Sequence, residues 1–93
     1  YAAAAGLSWN AHSWSSAINT AAALHLAAAS ANVLLLELKP EPSPMQNDIV
    51  SDPIVMRGGH IAVRDEPGLG IAVDEALLDY MNRRKASFPD SKF

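Results

Sequence analysis

Residues 10–38 read NAHSWSSAINTAAALHLAAASANVLLLEL, and the parsing of that stretch decides the fold. It divides into a strand end, a helix and a second strand. Ser13, Ser15 and Ser16 can each cap the helix, because a serine oxygen accepts from a backbone N–H that has no intrahelical partner. Trp14, Ile18, Ala21, Ala22, His25 and Ala29 then recur at helical spacing, with Leu24, Leu26 and Ala28 beside them. This helix is apolar over most of its circumference, and its small side chains let it lie close against a sheet. Val33-Leu34-Leu35-Leu36 is a continuous apolar run, the pattern of a parallel strand covered on both faces. Leu7–Ala11 supplies the first strand, so residues 7–38 form one β-α-β unit with a right-handed crossover. His12 ends one strand and Glu37 the other. Loops at the carboxyl ends of parallel strands converge on one face of the sheet, so these two groups are a candidate acid/base pair.

Outward from this unit, Tyr1–Ala5 resembles a final helical turn with Gly6 as its left-handed terminator. Beyond Lys39, Pro40, Pro42 and Pro44 stop both helix and strand and give a long loop to about Val50. Gly58-Gly59 separates Ile54–Arg57 from His60–Val63, a hairpin signal because such turns need positive φ. Pro67-Gly68-Leu69-Gly70 forces another turn before Ile71-Ala72-Val73. Asp74 can cap a last helix from Glu75, whose acidic start and Arg83-Arg84-Lys85 end both complement the helix dipole. The expected division is a β/α unit over residues 1–38, a linker over 39–53, a hairpin and helix over 54–85, and a tail over 86–93.

Composition narrows the function. Ninety-three residues suffice for one small domain. A complete β/α barrel needs about 250, so at most a piece of one is present. The net charge of −3 gives no electrostatic case for nucleic acid or an anionic membrane. The absence of cysteine rules out disulfides and thiolate zinc sites and fits a cytoplasmic location. No apolar run reaches the roughly 20 residues of a membrane span. The abrupt start at Tyr1, without a capping signal ahead of Ala2, gives the chain the look of a piece of something larger.

The segments HSWSS (12–16), LHL (24–26), NVLLLE (32–37), GGHIAV (58–63) and PGLGIAVDE (67–75) together resemble the C-terminal quarter of the mandelate racemase/muconate lactonizing enzyme-like branch of the enolase superfamily. The resemblance runs from about Gly6 to Tyr80, and PGLG followed by Asp-Glu is its most specific part. It implies a modified TIM barrel with an α+β capping domain. Leu7–Ala11 and Val33–Glu37 would be the seventh and eighth barrel strands, and the hairpin and last helix would return to the cap. It also implies Mg²⁺, with every ligand outside this chain, and removal of a proton α to the carboxylate of a small acid. His12 matches the family's general base, and Glu37 the group that donates a hydrogen bond to the enediolate. Ala11 stands where many relatives have proline.

The chemistry suits these residue types. A carbon acid beside a carboxylate ionises only when the developing charge is stabilised, and histidine is a base suited to neutral pH. Glu37 can donate only while protonated, a state that burial favours. Ser13, Trp14 and Ser15, where the helix begins, are candidates to hold a substrate carboxylate. His25 is expected to be a packing or surface residue and His60 exposed; the glycines are turn glycines, spaced unlike a dinucleotide fingerprint.

The expected parent is an enzyme, a homo-oligomeric sugar-acid or hydroxy-acid dehydratase. A racemase or cycloisomerase of the same family, or a non-catalytic assembly or binding unit, are the alternatives. The 93-residue chain alone is expected to be inactive.

Overall fold

A computed structural model describes residues 1–86 of the chain. The tail expected over residues 86–93 falls outside the described residues from Ser87 onward. The fold is α/β. A 3-10 turn over Ala3–Ala5 leads to strand β1 (Trp9–Ala11), helix α1 (Ala17–Ala28), strand β2 (Val33–Leu36), a π-helical turn (Pro44–Asp48) and helix α2 (Glu75–Ala86). Strands β1 and β2 pair in parallel, so α1 is the crossover of a β-α-β unit. Gly6 ends the 3-10 turn at φ 71°, as expected of a left-handed terminator.

Strand β1 is shorter than the expected Leu7–Ala11. Its beginning is tied instead by a side chain, Asn32 Nδ2 donating to the Leu7 carbonyl at 2.9 Å. Ser16 is the serine that caps α1, accepting from the Asn19 N–H at 3.3 Å. The buried face of α1 is Ala17, Thr20, Ala21, Leu24 and Ala27, rotated from the stripe that the larger side chains suggest. Ile18 and Leu26 lie outward, at 41% and 59% exposure. Part of this face meets the chain beyond β2: Ala17 clusters with Ile49 and Val50, and Thr20 bonds Gln46.

The expectation that Val33–Leu36 is covered on both faces fails within this chain: Leu34 and Leu35 are 68% and 70% exposed. Among the described residues the sheet has two strands, and α1 covers one side of it.

The loop beyond β2 is more ordered than its prolines suggest. Its π-helical turn packs on α1 and delivers Ile49 and Val50 to a small core, where both are buried with Ala17. Ile71, Leu77, Leu78 and Met81 pack against that cluster. This core joins all three expected segments, so the boundaries at 38/39 and 53/54 do not separate independent cores. Val50 and Val73 form an antiparallel bridge, flanked by Ser51 N–H to the Ala72 carbonyl at 3.0 Å and Asp74 N–H to the Ile49 carbonyl at 2.6 Å. Asp74 caps α2 by accepting from the Leu77 N–H at 2.9 Å.

At the hairpin only the closing turn forms. Gly58 and Gly59 take φ 58° and 78°, and Arg57 and His60 exchange both backbone hydrogen bonds. The arms do not continue as strands, and the Arg64 side chain ties the segments that flank them. Its guanidinium donates to the Gly70 and Pro53 carbonyls, each at 3.2 Å, and pairs with Asp52. Gly70 is required there twice over: its φ is +69°, and a Cβ would stand 2.9 Å from Arg64 Cβ. No helix among the described residues is long and apolar enough to cross a membrane.

Candidate active site

Parallel pairing puts the carboxyl ends of β1 and β2 at one edge, but pairing alone does not bring His12 to Glu37. The register does. Trp9 pairs with Val33, yet Ala11 pairs with Leu36, so β2 takes three steps where β1 takes two. That extra residue leaves His12 and Glu37 each one position beyond the last pair. It also explains why Leu34 and Leu35 are both exposed, since strict alternation turns one of two consecutive side chains inward. The Leu35 N–H is taken up by a side chain, donating to Asn10 Oδ1 at 3.0 Å.

The result is a direct contact: His12 Nδ1 lies 2.8 Å from Glu37 Oε2. With Nδ1 as donor and Glu37 as carboxylate, the second ring nitrogen, Nε2, keeps its lone pair for other work. The side chains are 72% and 48% exposed, so both are accessible to a small molecule. The Trp14 ring lies beside the imidazole with centroids 5.1 Å apart and planes tilted by 33°, giving the site an apolar flank.

Beneath the pair is a buried polar network. Ser13 is 1% exposed, and its hydroxyl makes a long bond, 3.4 Å, to the Glu37 carbonyl oxygen. Thr20, also 1% exposed, has its hydroxyl 3.1 Å from the Ser13 carbonyl oxygen and 3.1 Å from the Gln46 amide. One hydroxyl proton serves one acceptor. Both contacts are satisfied when Thr20 donates to Ser13 and the Gln46 amide presents its NH₂ to the threonine oxygen. The loop carrying His12 is thus held from below by α1 and by the turn after β2.

Of the candidates named from sequence, the structure brings His12, Glu37, Ser13 and Trp14 together. Ser13 is buried and Trp14 is part of the surface, while Ser15 is exposed beside them. His25 serves elsewhere, Nε2 bonding to the Leu69 carbonyl at 3.0 Å and tying α1 to the PGLG turn. His60 is exposed at the glycine turn. Asn10, Thr20 and Gln46 escaped the sequence reading. A threonine in the middle of an alanine-rich helix, one turn beyond its cap, was the available signal for one of them. A groove of about 370 Å³ lies away from this site, between the hairpin arms, lined among others by Asp52, Ile54, Arg57, His60 and Arg64. Among the described residues no group of three or more His, Cys, Asp or Glu could hold a metal ion, so they do not fit a Mg²⁺ site.

A β-α-β unit with His12 and Glu37 in contact at its carboxyl edge defines the class: an α/β unit with two parallel strands. Residues 1–77 match the enolase C-terminal domain-like family, and the chain belongs to that family. Enolase superfamily members are generally enzymes and typically bind Mg²⁺. No curated protein and no solved structure matches the chain.

Proposed function

We propose that this chain contributes the general base and the electrophile of an enzyme that removes the proton α to a carboxylate, and that the enzyme dehydrates a hydroxy or sugar acid. The observation that carries the reading is the 2.8 Å contact between His12 Nδ1 and Glu37 Oε2 at adjacent strand ends. In this reading β1 and β2 are the seventh and eighth strands of a modified barrel. The Mg²⁺ ligands lie outside the described residues, and the parent is a homo-oligomer. No step below passes through the metal.

His12 takes the α-proton on Nε2, and the electron pair of the broken C–H bond moves into the substrate carboxylate as an enediolate. That pair then returns to expel the β-oxygen, which collects the proton from Nε2 and leaves as water. One imidazole serves both half-steps, as base and then as acid. His12 and Glu37 share one hydrogen bond. With the shared proton on Nδ1, Glu37 orients the base; with it on Glu37, the carboxyl becomes the donor that stabilises the enediolate. Trp14 and Ser15 border the substrate, and Ser13 holds the main chain of Glu37.

The test is deuterium exchange at the α-carbon in D₂O, followed by NMR, in the full-length protein with Mg²⁺ and a panel of hydroxy and sugar acids. His12→Asn preserves size and abolishes exchange on the face the histidine serves. Glu37→Gln keeps a weaker donor and slows the chemical step roughly 10²- to 10³-fold, equivalent to about 2.7–4 kcal/mol. Unchanged exchange in His12→Asn returns that residue to an ordinary loop position. Racemised or cyclised product in place of a keto acid moves the enzyme to another reaction of the family.

A further inference from the structure

Asn10 is an exposed strand residue with an unusual task. Its Oδ1 accepts from the Leu35 N–H at 3.0 Å, at the point where β2 carries one residue more than β1 needs. Without that extra residue Ala11 would pair with Leu35, and Glu37 would fall level with Ser13. A one-residue slip displaces a strand by about 3.3 Å and turns each side chain to the opposite face. A 2.8 Å contact between His12 and Glu37 does not survive such a slip. Extra residues in strands are known to re-aim side chains beside active sites.

We infer that Asn10 is a positioning residue: by satisfying the displaced Leu35 N–H it holds the shifted register that sets Glu37 against His12. The inference rests on the reading of His12 and Glu37 as a working pair. Asn10 does not touch the substrate site itself. It acts by favouring one register of β2 over the regular one.

The experiment uses the full-length protein and two NMR readouts. The ¹⁵N shifts of the imidazole report which ring nitrogen carries the proton. Cross-strand contacts report whether Ala11 faces Leu36 or Leu35. In the wild type the proton sits on Nδ1, although a free neutral imidazole prefers it on Nε2. Asn10→Ala removes the acceptor and lowers the ratio of shifted to regular register by roughly 3- to 10-fold, the worth of one ordinary hydrogen bond. The Ala11–Leu36 contacts weaken and the proton moves towards Nε2. Asn10→Asp keeps an acceptor oxygen in the same place and restores both signals. Glu37→Leu is the control on the pair: it removes the acceptor and releases the Nδ1 preference whatever the register.

If Glu37→Leu changes the tautomer and Asn10→Ala does not, the positioning role is overturned while the pair stands. If Glu37→Leu leaves the tautomer unchanged, the pair itself is refuted and the inference falls with it. Asn10→Asp behaving like Asn10→Ala also overturns it. Should Asn10→Ala not fold, Asn10→Ser carries the same comparison, and loss of folding in both makes Asn10 a structural residue and overturns the proposal.

Discussion

Replacing Thr20 by valine probes how firmly the loop beyond β1 is held. Valine matches threonine in shape but puts a methyl group in place of the hydroxyl. Thr20 is 1% exposed, so water does not take over its partners. The Ser13 carbonyl loses a donor at 3.1 Å and the Gln46 amide loses a partner at 3.1 Å. Leaving a buried polar group unpaired costs about 1–3 kcal/mol. Gln46 is 7% exposed and flexible enough to turn towards solvent, so its share is at the low end. The Ser13 carbonyl is backbone and moves only with the loop. Together these come to about 2–4 kcal/mol. Thr20→Ser keeps the hydroxyl and loses one methyl group, for about 1 kcal/mol.

Amide hydrogen exchange is the appropriate assay, because it reads local opening and requires no single cooperative transition. At 1.4 kcal/mol per factor of ten, Thr20→Val speeds exchange at Ala21 and Leu24 roughly 30- to 1,000-fold. Thr20→Ser stays within about tenfold of the wild type. Equal exchange in the two variants would refute the reasoning, since only the hydroxyl separates them in the network.

Three further outcomes are expected. Gly70→Ala combines a left-handed φ with a Cβ only 2.9 Å from Arg64 Cβ, whereas Gly68→Ala meets open space; the second costs about 1–2 kcal/mol and the first about 1–3 kcal/mol more, compared by exchange of the Asp74 N–H. The isolated 93-residue chain, given Mg²⁺ and hydroxy acids, produces no α-proton exchange in D₂O, and measurable turnover contradicts this. The wild-type chain self-associates through its open strand, and Leu34→Lys with Leu35→Lys shifts it towards monomer by size-exclusion chromatography; an unchanged elution profile places the contact elsewhere.

The β-α-β unit was legible because each of its parts has a local cause. A serine cluster starts the helix, small residues let it approach the strands, and an apolar run follows. The same holds for Gly6, Gly58-Gly59 and the Asp74 cap, where a single residue's conformation or side chain decides the outcome. Candidate site residues were legible as strand ends, His12 and Glu37 above all. Their mutual distance was not, because register depends on an interstrand choice that no local propensity encodes. Which face of α1 is buried was not legible for a related reason. Large apolar residues mark a face that wants cover, but in this chain the tightest packing belongs to Ala17, Thr20 and Ala21. Gln46 was hidden by its setting, since a proline-rich loop gave no sign that it would fold back onto α1. At the hairpin the Gly-Gly pair encodes the closing turn and no more, and the Arg64 side chain ties the flanking segments through the Pro53 and Gly70 carbonyls.

The extra residue in β2 links the site to the exposed surface of the chain. It is what sets Glu37 beside His12, and it is also what turns Leu34 and Leu35 outward together, at 68% and 70% exposure. Fully burying a leucine is worth about 1.5–3 kcal/mol, so a chain in this register gains stability from anything that covers that face. An element packed over that face would do so, and it would favour the shifted register over the regular one, in which only one of the two leucines faces out. Binding that favours one conformer raises its population by mass action. Covering the open side of β2 and closing the His12–Glu37 contact are therefore thermodynamically coupled: each makes the other easier. Asn10 biases that equilibrium from within the chain, and cover over the Leu34–Leu35 face would bias it from outside.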